Sequence, residues 1–163
     1  MSEIRAGHPF TAYRTKVRPE WLDYNGHVND SAYAVICTEA NELLLEDLGL
    51  SETYRSSTGC SLYTVEAHLR YLGEVGPAAE LRAETFVVEA DSKRLRVHTT
   101  LYVADQAVLT GEHLYLHVDQ STGRVTPFPA DRGEVVGSTL AAHAGLDRPP
   151  HLGLGVGAPR PGR

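Results

Sequence analysis

Asp23-Tyr24-Asn25-Gly26-His27-Val28-Asn29, running straight into Asp30-Ser31-Ala32-Tyr33-Ala34-Val35-Ile36-Cys37, carries this chain from a polar turn into an apolar helix. Asn29 or Asp30 can act as N-cap, its side-chain oxygen accepting from a backbone N–H that the first helical turn leaves without a partner. Tyr33, Ile36, Cys37, Ala40, Leu44 and Leu48 then recur at helical spacing, and Gly49 stands where a left-handed residue ends a helix. Ala32, Ala34 and Val35 broaden the apolar face, which predicts that protein surrounds the first half of this helix. Upstream, residues 10–18 read as a first strand, and Pro19 disfavours helix at Arg18 and opens an irregular connection.

Beyond the helix the hydrophobic period changes to alternation, predicting strands over 61–72, 79–90, 94–104 and 107–118. Residues 73–77, Asp91-Ser92 and Asp105-Gln106 are short turn-forming links of the kind that join antiparallel neighbours. A strand, a buried helix and an antiparallel run of strands define an α+β chain, and a sheet curled around the helix gives that order a single core. Residues 119–123 read as a turn and 130–143 as a second amphipathic helix. The reading is one domain over 1–144, followed by a Pro/Gly-rich tail, 145–163, that is extended or disordered unless it docks.

A length of 163 residues with 42% hydrophobic content suits one globular core, and no 18-residue apolar run crosses a membrane. Nothing at the N-terminus reads as a signal peptide. A net charge of -6 argues against nucleic acid, which needs a basic surface to displace counterions. Cys37 in the helix and Cys60 in an expected loop make no disulfide framework and point to a reducing cytoplasm.

The pattern Asp23-x-Asn25-x-His27-Val28-Asn29 after a strand, with Tyr33 and Glu39 in the helix, resembles the acyl-CoA and acyl-carrier-protein thioesterases of the hotdog fold. The likeness continues through Tyr63-Thr64-Val65-Glu66-Ala67-His68, Asp91-Ser92-Lys93-Arg94-Leu95 and the segment from Gly111 to Asp119. Together these segments resemble the betainyl-CoA thioesterases of carnitine degradation, which occur alone or fused to L-carnitine dehydrogenase. The resemblance implies a hotdog fold, hydrolysis of betainyl-CoA to glycine betaine and CoA without metal or cofactor, and a site at a homodimer interface. A tetramer is left open, as is a thioesterase for another short aliphatic or aromatic acyl-CoA, or a catalytically silent acyl-CoA-binding module.

Thioester hydrolysis needs a nucleophile or a base that activates water, together with donors aimed at the developing oxyanion. Asp23 suits the first role. Backbone N–H groups near Gly26 and His27, at the positive end of the helix, suit the second, and Gly26 lets a substrate approach the backbone. Asn25 can orient the carboxylate, water or thioester, and His27 can act as general acid or base, since histidine ionises near pH ~6.5. The same residues also make an ordinary turn, in which Asp and Asn bond their own backbone and glycine takes a positive φ. Asn29 reads as a cap and Tyr33 as a packing residue whose hydroxyl points to the turn.

Glu39 shares a polar stripe with Glu42 and Glu46, which a solvated or subunit-facing surface explains as well as catalysis does. Glu66, on a strand face with His68 and Arg70, is the second carboxylate candidate, reaching a site from the opposite subunit as in many hotdog thioesterases; a Glu66–His68 pair is the alternative. Trp21, Tyr24, Tyr33 and Tyr63 are candidate aromatic faces for a trimethylammonium group, and Lys93, Arg94 and Arg96 for the CoA phosphates. His113 and His117 lie ~13 Å apart at strand rise, too far to share an ion, and no helical His-Glu-x-x-His motif exists, so no metal site is expected. Cys37 reads as inert core, and no Gly-x-Ser-x-Gly elbow supports a serine hydrolase.

Overall fold

In the computed structural model, which describes residues 8–155, the helix α1 spans Asp30–Asp47 and the Asn29 side chain caps it by accepting from the Ser31 N–H at 3.0 Å. At its far end the Leu50 N–H reaches the Leu45 carbonyl and the Gly49 N–H the Glu46 carbonyl, with Gly49 at φ +69°. This is the Schellman closure that the glycine predicted. Ile36, Cys37, Ala40 and Leu44 are fully buried.

An antiparallel sheet of six strands curls around α1: β1 (Arg14–Lys16), β2 (Cys60–Tyr71), β3 (Glu80–Ala90), β4 (Arg94–Val103), β5 (Gln106–Asp119) and the short β6 (Arg124–Val125). Among the described residues the order β1-β3-β4-β5-β2 leaves β2 as an edge strand beside β5, while β6 pairs with the end of β5. This α+β architecture is the helix-wrapping hotdog sheet that the sequence implied. Helix α3 (Ala130–Ala144) packs against β3 and the end of α1: the His143 Nδ1 accepts from the Val87 N–H at 2.9 Å, and Val136 is buried with Leu44 and Leu48.

Several expectations are corrected. Residues 73–77 do not join sheet neighbours: β2 pairs with β5 and β3 with β4, so this link crosses the mouth of the curled sheet. It is held there by Val75, which is buried and whose carbonyl accepts from the Val28 N–H at 2.9 Å. The first strand keeps regular pairing only over Arg14–Lys16, with an isolated bridge at Phe10, because its remaining residues touch β3 at intervals. A helix α2 (Glu52–Thr58) has too little apolar periodicity to predict; the buried Tyr54 and a left-handed Gly59 hold it. Cys60 opens β2 rather than lying in a loop. Within one chain, protein does not surround the first half of α1, since Ala34 and Val35 are exposed.

The tail after α3 turns back over the outer face of the sheet, where the Gly153 N–H donates to the buried Glu112 carboxylate. Burial beside it pushes the His98 imidazole down to about 4, so the ring is neutral at neutral pH. The part of the tail over 156–163 lies outside the described residues.

A buried polar chain seats α1. The Asn41 amide donates to the Tyr115 hydroxyl at 3.0 Å and accepts from the Thr99 hydroxyl at 2.7 Å, and Thr85 lies 3.2 Å further on. Asn41→Ala leaves two buried hydroxyls without this partner and should lower stability by about 2–4 kcal/mol, read as the loss in a urea unfolding curve.

Candidate active site

Between the 3-10 turn Pro19–Trp21 and α1 the chain makes a tight loop. The Asp23 N–H donates to the His27 carbonyl at 2.8 Å and the Gly26 N–H to the Asp23 carbonyl at 3.0 Å, with Gly26 at φ +78°. The loop is anchored from behind by the Asn29 N–H on the Trp21 carbonyl at 2.8 Å. Glycine is required here because a side chain at that φ is strained.

The loop turns the Asp23 carboxylate inward on its own backbone. Its Oδ1 accepts from the Asn25 N–H at 2.8 Å and from the His27 N–H at 3.3 Å, and its Oδ2 lies 3.4 Å from the Asn25 amide nitrogen. Lost hydration acts to raise the carboxyl, but the donors of Asn25 and His27, with the His27 ring, outweigh it and hold the group below its ordinary 3.8. The Gly26 N–H, one of the donors expected near the oxyanion, closes the loop on the Asp23 carbonyl. The His27 N–H and the Asn25 amide are the loosely held donors, at distances where a better acceptor can compete.

Asp23, Asn25 and His27 border a cavity of about 370 Å³ whose other walls are Val28, Asp30, Tyr33, Tyr71, Gly73 and Glu74. Tyr71 and Glu74 were not among the site residues expected from the sequence, and Asp30 was expected only as a possible helix cap. The signal for Tyr71 was present, as an aromatic at the end of an alternating strand, but only the curl of the sheet brings it to α1. Glu74 arrives on the crossing link, whose path sequence periodicity does not show.

Other candidates stand elsewhere in the chain. Trp21 is buried in the core and the Arg18 guanidinium covers its ring at 4.4 Å. Arg18 also pairs with Glu39 at 3.0 Å, and the Tyr13 hydroxyl donates to the same carboxylate at 2.7 Å, so Glu39 is the centre of a structural network. Tyr24 is 97% exposed at the loop tip. Tyr63 lies eight residues before Tyr71 on β2, ~26 Å away at strand rise. Glu66 pairs in register with Leu114 on the outer face, next to His68 opposite Glu112, and away from the α1 side.

Lys93 and Arg94 sit at the β3–β4 hairpin, at the opposite end of the sheet from Asp23 in the same chain. Arg94 is paired with Asp91 at 2.6 Å, and Arg96 is held between Glu89 at 2.8 Å and Glu112 at 3.2 Å. His117 donates from Nδ1 to the Thr126 carbonyl and accepts at Nε2 from Tyr54, each at 2.8 Å. Burial raises the Cys37 thiol to about 12. A larger groove of about 730 Å³ runs along the later turns of α1 past Glu39, Glu42 and Glu46. Among the described residues no three His, Cys, Asp or Glu side chains converge as a metal-ligating group, and no helix is long and apolar enough to cross a membrane.

An ionised carboxylate on a closed loop, at the mouth of a sheet wrapped around a helix, belongs to the hotdog class of proteins. The pattern of the Thioesterase-like superfamily matches residues 17–140, and the chain belongs to that superfamily. It is similar to the betainyl-CoA thioesterase of Pseudomonas aeruginosa, with 36% identity over 91% of this chain and 95% of that protein. It is also similar to the L-carnitine dehydrogenase/betainyl-CoA thioesterase of Agrobacterium fabrum, with 36% identity over 97% of this chain and 32% of that longer protein. Among solved structures, a Staphylococcus aureus protein in complex with CoA shares the fold with a TM-score of 0.84 at 24% identity, covering 95% of this chain and 99% of that one. The chain is a thioester hydrolase of the acyl-CoA thioesterase type.

Because the donors of Asn25 and His27 lower the Asp23 carboxyl, it stays ionised to a lower pH than an ordinary aspartate. If Asp23 is the group that must be ionised, the acid limb of the kcat/KM profile should lie below pH 3.8. An acid limb at or above pH ~5 would assign that limb to another group.

Proposed function

We propose that this protein hydrolyses betainyl-CoA to glycine betaine and CoA, with Asp23 as nucleophile or general base. The observation that carries the reading is the Asp23 carboxylate, held ionised by the Asn25 and His27 donors on the rim of a cavity that no Lys or Arg lines. The 36% identity to a betainyl-CoA thioesterase over nearly the whole chain supports the choice of acyl group.

As a base, Asp23 takes a proton from water while the oxygen adds to the thioester carbonyl. The tetrahedral intermediate then expels the CoA thiolate, which takes up the proton. As a nucleophile, Asp23 adds directly, expels the thiolate and leaves an anhydride that water cleaves. In either course the negative oxygen needs donors, and the His27 N–H and Asn25 amide, both loosely engaged, are in reach of the same carboxylate.

The working unit in this reading is a homodimer built on the free edge of β2. Tyr63, Val65 and Tyr71 on that strand and Val35 and Leu43 on α1 are exposed, which is an unusual amount of apolar surface for an edge left open. Two-fold pairing of β2 with a second β2 sets the Cys60 end of one strand beside the Tyr71 end of the other. Tyr63 and the hairpin carrying Lys93 and Arg94 then approach the Asp23 end of the partner, which accommodates their separation within one chain. The exposed first half of α1 is covered in the same step. Free cysteines and the CoA substrate fit a cytoplasmic enzyme.

Thiol release from a panel of betainyl-, acetyl-, butyryl-, benzoyl- and 4-hydroxybenzoyl-CoA tests the reaction. Betainyl-CoA should give the highest kcat/KM, and a neutral acyl group in first place would replace it as substrate. Asp23→Asn should lower kcat by about 10²–10⁴-fold, and a variant that keeps most of its kcat removes Asp23 from the chemistry. For the assembly, Val65→Asp should convert a dimer to a monomer in light scattering, because it places a charge in the middle of the pairing edge.

A further inference from the structure

The cavity beside Asp23 has a composition that goes beyond a place for water and a thioester. Two of its walls are tyrosines, Tyr33 from α1 and Tyr71 from the end of β2, packed edge to face with ring centroids 5.5 Å apart and planes at 77°. Tyr33 is buried, and its hydroxyl points to the Gly73 carbonyl at 3.5 Å. Tyr71 is 52% exposed yet fixed, since its hydroxyl donates to the Asp30 carbonyl at 3.2 Å and Tyr33 braces its ring. An exposed aromatic is ordinarily free to turn; this one is a rigid platform whose ordering cost folding has already met.

The remaining walls carry negative charge. Asp23, Asp30 and Glu74 line the cavity, and its single basic neighbour is His27, whose Nε2 lies 3.7 Å from Glu74. Burial, followed by the neighbouring carboxylates Asp30 for Tyr71 and Glu74 for Tyr33 among the causes, raises both phenols, so the rings are neutral and keep their negative faces. A quaternary ammonium has no N–H to donate and cannot be selected by hydrogen bonds. It is selected by aromatic faces and nearby anions, which is what these walls present.

We propose that Tyr71, braced by Tyr33, and the Glu74 carboxylate form the subsite that selects a quaternary ammonium acyl group over a neutral group of the same shape. This rests on the betainyl-CoA reading and names residues that carry its specificity. It also takes the cation away from Trp21, whose face Arg18 already occupies, and from Tyr24, which stands in solvent outside the cavity. The acidic walls have a second consequence: an acyl group bearing a carboxylate is repelled from the same place.

The test compares betainyl-CoA with tert-butylacetyl-CoA, in which carbon replaces the charged nitrogen and the shape is kept. Measured on the full-length protein, kcat/KM should favour the cation by about tenfold or more. Tyr71→Leu should lower kcat/KM for betainyl-CoA by about 10- to 30-fold and reduce the preference for the cation over its neutral isostere to about threefold or less. Tyr71→Phe, which keeps the ring, should retain most of the preference, and Glu74→Gln should reduce it severalfold. The thermal unfolding midpoint serves as the control for folding in every variant. Equal loss on both substrates in Tyr71→Leu, or no preference in the wild type, overturns the subsite while leaving the betainyl-CoA reading in place. A wild type that hydrolyses other acyl-CoA esters and not betainyl-CoA overturns that reading, and the subsite with it.

Discussion

Asn41 sits in the middle of an otherwise apolar helix face, and the need to satisfy its amide in the core governs where α1 can lie. Its partners come from two adjacent strands, Thr99 on β4 and Tyr115 on β5, and Thr85 extends the chain to β3. An apolar helix could slide or rotate within a curled sheet at little cost. One with a buried amide cannot, because any other position leaves polar groups without partners in a dry interior. With the helix pinned at Asn41, the Asn29 cap and the loop before it fall at one end of the sheet.

That placement makes the site. The crossing link passes beneath the helix start and is tied to it through Val28 and Val75, which brings Gly73 and Glu74 under the Asp23 loop. The end of β2 supplies Tyr71 against Tyr33. The loop then does two things with few residues. It folds its own N–H groups onto Asp23, which keeps the carboxylate ionised, and it holds the His27 N–H and the Asn25 amide at 3.3 and 3.4 Å, the lengths on which the proposed oxyanion role rests. The dimer proposed here completes rather than creates this arrangement, since the carboxylate, its donors and the aromatic pair all come from one chain.

Much of the rest of the molecule is structural where the sequence offered a functional alternative. Glu39 is tied down by Arg18 and Tyr13, and Arg96, read from the sequence as a CoA-phosphate candidate rather than a catalyst, is paired with Glu89 and Glu112. Each has a charge that suits such a role, and each has partners that account for it. Such a distinction is invisible in one dimension, because a residue's partners on other strands are not its neighbours in sequence.

The sequence by itself determined the local structure: the helix with its asparagine cap and glycine stop, the long strands, the Asp23–His27 loop and its family likeness. These follow from side-chain period, capping and turn chemistry, all of which act over a few residues. Only the tertiary structure decided that β2 lies beside β5 rather than β3, that Trp21 is covered by Arg18, that the Gly26 N–H closes the loop, and that Tyr71 and Glu74 share a cavity with Asp23. Strand order and the meeting of distant side chains depend on how a twisted sheet closes around one helix. That closure is settled by packing and by buried hydrogen bonds between residues far apart in the chain, for which local sequence carries no periodic sign.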